Sequence, residues 1–168
     1  MNEHKNYKIA VMSDSHGKRG NIENVLHQVN ECDYFVYLGD GNGDIDKIGD
    51  KITAKIIRVR GNCDAVSDLP AETVLKVGET DFLITHGNLY GVKRGLLSLA
   101  LRARELGCAY ALYGHTHTAS AQQSQGVTLI NPGAMSGFSP SYALIEGDGI
   151  LFHVDFFTPQ GGEKNVKK

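Results

Sequence analysis

The chain has few cysteines, no long apolar run and no excess of positive charge, and each shortage removes a class of protein. Its three cysteines, Cys32, Cys63 and Cys108, stand far apart in 168 residues. They form no CxxC pair, and an odd number at wide spacing suggests no disulfide framework. No stretch is long and uncharged enough to span a bilayer. The first residues, MNEHKNYK, are polar and lack the apolar segment of a secretory leader, so a cytoplasmic protein is expected. A formal net charge of -2 speaks against a general nucleic-acid surface, which needs a basic excess. It leaves a small anionic substrate open, because a bound cation reverses the local field. No repeat, linker or low-complexity block divides the sequence. One domain over residues 1–158 is expected, with a disordered tail from Pro159 (PQGGEKNVKK).

Glycine is plentiful. Twenty of them suit short strands and tight loops better than a helix bundle. Tyr7–Met12, Tyr34–Leu38 and Ile56–Val59 read as buried strands, and Asn21–Glu31 as a helix with Ile22, Val25, Leu26 and Val29 on one stripe. That alternation predicts a parallel sheet with crossover helices. Thr73–Val77 and Asp81–Thr85 then flank Gly78-Glu79-Thr80 as a hairpin. Leu96–Leu106 is an amphipathic helix with Gly107 as its C-cap, and Ala109–Tyr113 is a strand. The later strands, Val127–Ile130, Tyr142–Glu146 and Ile150–Phe157, read as antiparallel, with Asp148-Gly149 as a hairpin turn. They are expected to form a second sheet against the first.

Five of these strands end alike, in Asp, Asn or His beside glycine: Asp14-Ser15-His16-Gly17, Gly39-Asp40, Gly61-Asn62, His86-Gly87 and Gly114-His115-Thr116-His117. Ligands of open α/β sheets bind outside the carboxyl ends of the strands, so the five ends converge on one rim. Each motif alone has a plain structural reading: a turn, an αL asparagine, a hydrogen-bonded core histidine. Together they offer two carboxylates, one amide oxygen and four imidazoles. That is more than one ion needs, and it suits a pair of ions sharing a carboxylate. With no thiolate among the seven, manganese is expected first, with nickel, iron, cobalt or zinc also fitting.

These blocks, from Tyr7 to about Phe157, resemble the calcineurin-like metallophosphoesterase superfamily, whose pattern is D-x-H, GD, GN-[HC]-[DE], H and GHxH. The GNCD block, the Ile130-Asn131-Pro132-Gly133 segment and the short length are most similar to its small YfcE-type phosphodiesterase branch. The resemblance implies an α/β fold, a four-layer β-sandwich of mixed sheets flanked by helices. It also implies a binuclear centre in which Asp14, His16 and His117 hold one metal, Asn62, His86 and His115 hold the other, and Asp40 bridges. The implied reaction is hydrolysis of a small phosphate ester by in-line attack of a metal-bridging hydroxide. Its chemistry is expected at Asp40, Asn62, Cys63, Asp64 and His115.

The sequence departs from the wider family at Cys63, where many members place a histidine that protonates the leaving group. A thiol is a poorer acid for an alkoxide, which favours a phosphodiester over a phosphomonoester. Asp64 either orients a neighbour or caps the next turn. Asn88 stands where a second histidine is expected. Lys93, Arg94, Ser136, Phe138 and Ser139 are candidate pocket residues. His27 and His153 lie away from every motif, and His4 belongs to a terminus expected to be mobile. The alternatives are a phosphomonoesterase or protein phosphatase, and a scaffold like the retromer subunit that shares this fold. A homo-oligomer is compatible with the sequence.

Overall fold

The computed structural model describes residues 5–167; His4 and Lys168 lie outside them. Among the described residues ten strands form two five-stranded sheets. The first joins β1 (Tyr7–Met12), β2 (Tyr34–Tyr37), β3 (Lys55–Arg58), β9 (Tyr142–Gly147) and β10 (Phe152–Phe157), in the order β10-β9-β1-β2-β3. The second joins β4 (Glu72–Val77), β5 (Thr80–Thr85), β6 (Tyr110–Leu112), β7 (Ser120–Ser124) and β8 (Val127–Asn131), in the order β4-β5-β6-β8-β7. β1, β2 and β3 run parallel, as the strand-helix alternation predicts.

Alternating strand residues send two apolar faces from each sheet. Ile9, Val11, Val36 and Leu38 of the first sheet meet Val77, Phe82, Ile84 and Leu112 of the second in the sandwich interior. On the outer face of the first sheet, Ala10, Met12 and Phe35 pack on Ile22, Val25, Val29 and Ile45. These come from α1 (Arg19–Glu23), α2 (Leu26–Val29), α3 (Asn42–Asp46) and the turn between α1 and α2. On the outer face of the second, Leu83, Ala111 and Leu129 pack on Leu99, Ala100 and Ala103 of α4 (Leu97–Glu105). The result is a four-layer helix-sheet-sheet-helix sandwich. Among the described residues no helix is long and apolar enough to cross a membrane.

The structure departs from the sequence reading in four places. The helix expected over Asn21–Glu31 is broken into α1 and α2 at Val25, whose φ is -115°. Ile22, Val25 and Val29 stay buried all the same, so the stripe outlives the break. Strand β7 (SAQQS) has no β-branched or aromatic residue to announce it; pairing with β8 makes it a strand. The later strands do not form one antiparallel sheet. β8 pairs parallel to β6, while β9 and β10 return to the first sheet, where β9 lies antiparallel to β1. The segment from Pro159, expected to be disordered, folds back as far as it is described. Thr158 accepts the Gly161 N–H, the Lys164 N–H bonds Phe156 O at 2.7 Å, and Glu163 bridges to Phe157.

Phe82 stacks on Tyr110 of the neighbouring strand at 4.8 Å between centroids and, across the sandwich, meets Phe152 edge-on at 5.1 Å. Phe82 is fully buried and ties the second sheet to the edge strand of the first. Phe82→Ala is expected to destabilise the fold by about 3–5 kcal/mol. Urea unfolding checks this; a loss under about 1 kcal/mol would mean that the aromatic trio does not hold the sheets together.

Candidate metal centre

The five motif loops meet where the two sheets adjoin. Three follow β1, β2 and β3 of one sheet, and two follow β5 and β6 of the other. Hydrogen bonds sew the seam: His86 Nδ1 lies 2.8 Å from Leu38 O, and the His115 N–H donates to Asp14 Oδ2 at 3.1 Å. The loops are held in an unusual backbone. Six described non-glycine residues have positive φ, and five are Asp14 (55°), His16 (43°), Asp40 (58°), His115 (68°) and His117 (61°). Asp and His enter the left-handed region more readily than most residues, yet it still stores energy. Gly61 has a different duty: a Cβ there would fall inside the Asp40 carboxylate.

Asp64 fastens two of these loops. Its carboxylate accepts the backbone N–H groups of Asp40 and Gly61, both at 2.8 Å, of Gly41 and Asn42, both at 3.1 Å, and the Asn42 side-chain amide at 2.7 Å. Burial would raise its pKa, but these donors outweigh it and the carboxyl is lowered. Of the two readings of Asp64, orientation of neighbours is the one this geometry fits. Supports that the sequence did not reveal stand beside it. Ser13 Oγ–H bonds Asp14, Ser15 Oγ bonds Asp44 at 2.6 Å, and the Asn131 amide holds Gly114 O and Thr116 Oγ1, both at 3.0 Å. Their only sequence signal is adjacency to a motif, as with Ser13 and Ser15, or a turn-forming type, as with Asn131.

The ligand atoms fall into two groups whose members lie within 4.8 Å of one another: Asp14, His16 and His117, and Asp40, His86 and His115. Asp14 Oδ1 is 3.0 Å from His117 Nε2 and 3.6 Å from His16 Nε2. Asp40 Oδ2 lies 3.3 Å from His86 Nε2 and 4.0 Å from His16 Nε2, so it stands between the groups. The rings of His86 and His115 meet edge-on at 5.0 Å. Cys63 Sγ shares a third group with His16 and Asp40, and its backbone N–H donates to Asp40 Oδ1 at 2.7 Å. Asn62 is exposed in the turn that follows β3 and donates to Cys63 Sγ at 3.5 Å.

The donor chemistry asks for a cation. Leu38 O can only accept, so His86 Nδ1 carries the proton. Nε2 is then a buried lone pair with no hydrogen-bond partner, 3.3 Å from a carboxylate oxygen. Two acceptors at that distance need a metal ion or an added proton between them. The electrostatics agree. Burial would raise Asp40, but His86 and the Cys63 N–H hold it well below the usual carboxylate range. Burial would lower His86, but Asp40 and Asp14 outweigh it and raise it. His115 is lowered by burial first, then by the charges of His86 and Lys93.

The other candidates are dispersed. Asn88 lines a cavity together with Asn62. Lys93 and Arg94 are exposed on the loop before α4. The Ser136 hydroxyl donates to Asp14 O at 2.7 Å, Phe138 is fully exposed, and Ser139 is held by Lys164. His27 and His153 are exposed.

A calcineurin-like phosphoesterase superfamily domain matches residues 7–149. The chain belongs to that superfamily. It is 30% identical over 161 residues to the probable metallophosphoesterase YsnB of Bacillus subtilis, covering 92% of this chain and 93% of that protein. It is 29% identical over 170 residues to the phosphodiesterase YfcE of Escherichia coli, covering 84% and 88%. A solved structure of a predicted phosphoesterase from Streptococcus pneumoniae is similar with a TM-score of 0.80 and 30% identity, covering 95% of this chain and 94% of that one.

The clamp at Asp64 is open to test. A carboxyl whose folded pKa lies below its unfolded value adds stability above the unfolded pKa, and that stability is lost as pH falls through the folded one. Asp64→Asn is expected to destabilise the fold by about 1–3 kcal/mol at neutral pH. The gap from the unsubstituted protein should close as pH falls below about 4. Urea melts across that range decide it; a gap independent of pH would show that the carboxylate charge is not what binds the loops.

Proposed function

We propose that this phosphoesterase-superfamily chain is a divalent-metal-dependent phosphodiesterase. The observation that carries the reading is the buried, unpartnered His86 Nε2 facing Asp40, within a cluster of carboxylate and imidazole acceptors. Asp14, His16 and His117 would hold one ion and Asn62, His86 and His115 the other, with Asp40 available to both. The oxygen and nitrogen donors suit manganese first, with nickel, iron, cobalt or zinc as substitutes. When bound, such a pair supplies Lewis acidity, making water a nucleophile near neutral pH and neutralising charge on the phosphoryl oxygens.

The chain's own residues set up the rest. The His86 Nδ1–H bond to Leu38 O fixes which ring nitrogen faces the site. The Cys63 N–H and Gly61 fix the Asp40 carboxylate. Cys63 stands beside His16 and Asp40, which supports the reading that it faces the leaving group. Burial, and then Asp40, raise its thiol, so it holds its proton at neutral pH and gives it up poorly. A phosphodiester brings less charge to the centre than a monoester dianion and depends less on that proton. YfcE, by its name, is itself a phosphodiesterase.

The test is a screen of the metal-stripped and reconstituted protein on paired diester and monoester p-nitrophenyl substrates and cyclic nucleotides. Diester turnover is expected to require added metal. Asp40→Asn should cut it about a hundredfold or more and abolish the rise in melting temperature that metal gives the unsubstituted protein. Full turnover in the presence of a chelator would overturn the reading. On alkyl phosphates, whose leaving alkoxide needs a proton, Cys63→His is expected to raise monoester relative to diester hydrolysis by at least about tenfold. An unchanged ratio would place Cys63 away from the leaving group.

A further inference from the structure

A cavity of about 260 Å3 opens beside the metal-type donors, lined among others by Arg60, Asn62, Asp64, Ser67, Asn88 and Leu89. It lies just below the usual range of ligand sites, roughly 300–1,000 Å3, so its occupant is compact. It shares Asn62 with the proposed metal set, so a phosphate held there has this cavity at its side. Cys63, proposed to face the leaving group, is not among the lining residues, which leaves the cavity to the arm that stays on phosphorus if that proposal holds.

The lining carries one cation and one anion, and only the cation has hydrogen-bonding capacity to spare. Asp64 is the cavity's one carboxylate, and its oxygens are already taken by five N–H donors from the loops. Arg60 is exposed and has no carboxylate partner among the described residues. Its guanidinium is not adrift, because Nη1 donates to Leu69 O at 2.7 Å and pins the group to the loop that walls the cavity. The backbone is fixed as well, with the Arg60 N–H on Pro70 O at 2.9 Å. An anchored guanidinium with spare N–H groups is built for a planar or tetrahedral anion. Asn62, Asn88 and the Ser67 hydroxyl offer further donors.

We propose that this cavity is a subsite for the retained ester arm and selects a short arm ending in an anionic group, carboxylate or phosphate, held by Arg60. The proposal rests on the phosphodiesterase reading and names its substrate class. The test uses matched p-nitrophenyl phosphodiesters whose second arm is hydroxypropionate, propanediol or aminopropanol, with the metal-reconstituted protein. The anionic arm is expected to exceed the cationic one by about tenfold in kcat/KM. Arg60→Gln should shrink that ratio to within about twofold of unity. Ser67→Asp keeps an acceptor for the Leu69 N–H, which Ser67 Oγ now takes at 3.2 Å, and places a carboxylate in the cavity, so it should reverse the preference. That variant decides the matter if Arg60→Gln does not fold. Equal rates on the three arms, or a preference untouched by either substitution, would overturn the subsite and leave the phosphodiesterase reading standing. Cleavage of a monoester with no turnover of any diester would overturn both.

Discussion

Everything at the rim depends on one electrostatic conflict: too many acceptors in too little space. Asp14 and Asp40 are buried, their oxygens lie 3.0–4.0 Å from imidazole nitrogens, and one of those nitrogens has no hydrogen-bond partner. Such a cluster is unfavourable unless positive charge enters it. The pKa shifts show a partial remedy, with Asp40 pushed toward its anion and His86 toward its cation. A divalent ion relieves the conflict more completely, because one charge serves several acceptors at once.

The backbone meets the same demand from the other side. Five residues in left-handed conformation cost up to about 5–10 kcal/mol together, against a net domain stability of about 5–15 kcal/mol. The strain persists because the loops are over-determined. Asp64 gathers N–H groups from two of them, and His86 and His115 each reach across to the other sheet. The aromatic contacts of Phe82 keep the sheets in register beneath.

Much of this was legible in the sequence, for a physical reason. Strand ends capped by Asp-x-His, Gly-Asp, Gly-Asn, His-Gly and Gly-His-x-His declare themselves, because strand patterning and glycine both mark the place where a loop begins. The structure gathers Asp14, His16, His117, Asp40, His86 and His115 into two donor groups. Less legible was whatever depends on partners distant in sequence. Strand β7 exists only through β8. The return of β9 to β1 cannot be read from either strand. The helical stripe over Ile22–Val29 did not foretell a break at Val25. Asp64 looked like a turn cap or an orienting group, and only the placement of its five donors separates the two.

The position of β1 bears on how the protein comes into being. The first strand is central, paired on one side with β2 and on the other with β9, whose partner for Tyr7 is Gly147. A nascent chain emerging N-terminus first, at roughly 5–20 residues per second, must therefore leave one edge of this strand bare until β9 has been made. The donors follow the same timetable, since Asp14 waits for His117, 103 positions later. A product truncated before β9 keeps the motif residues but loses the strand that closes the sheet beneath them.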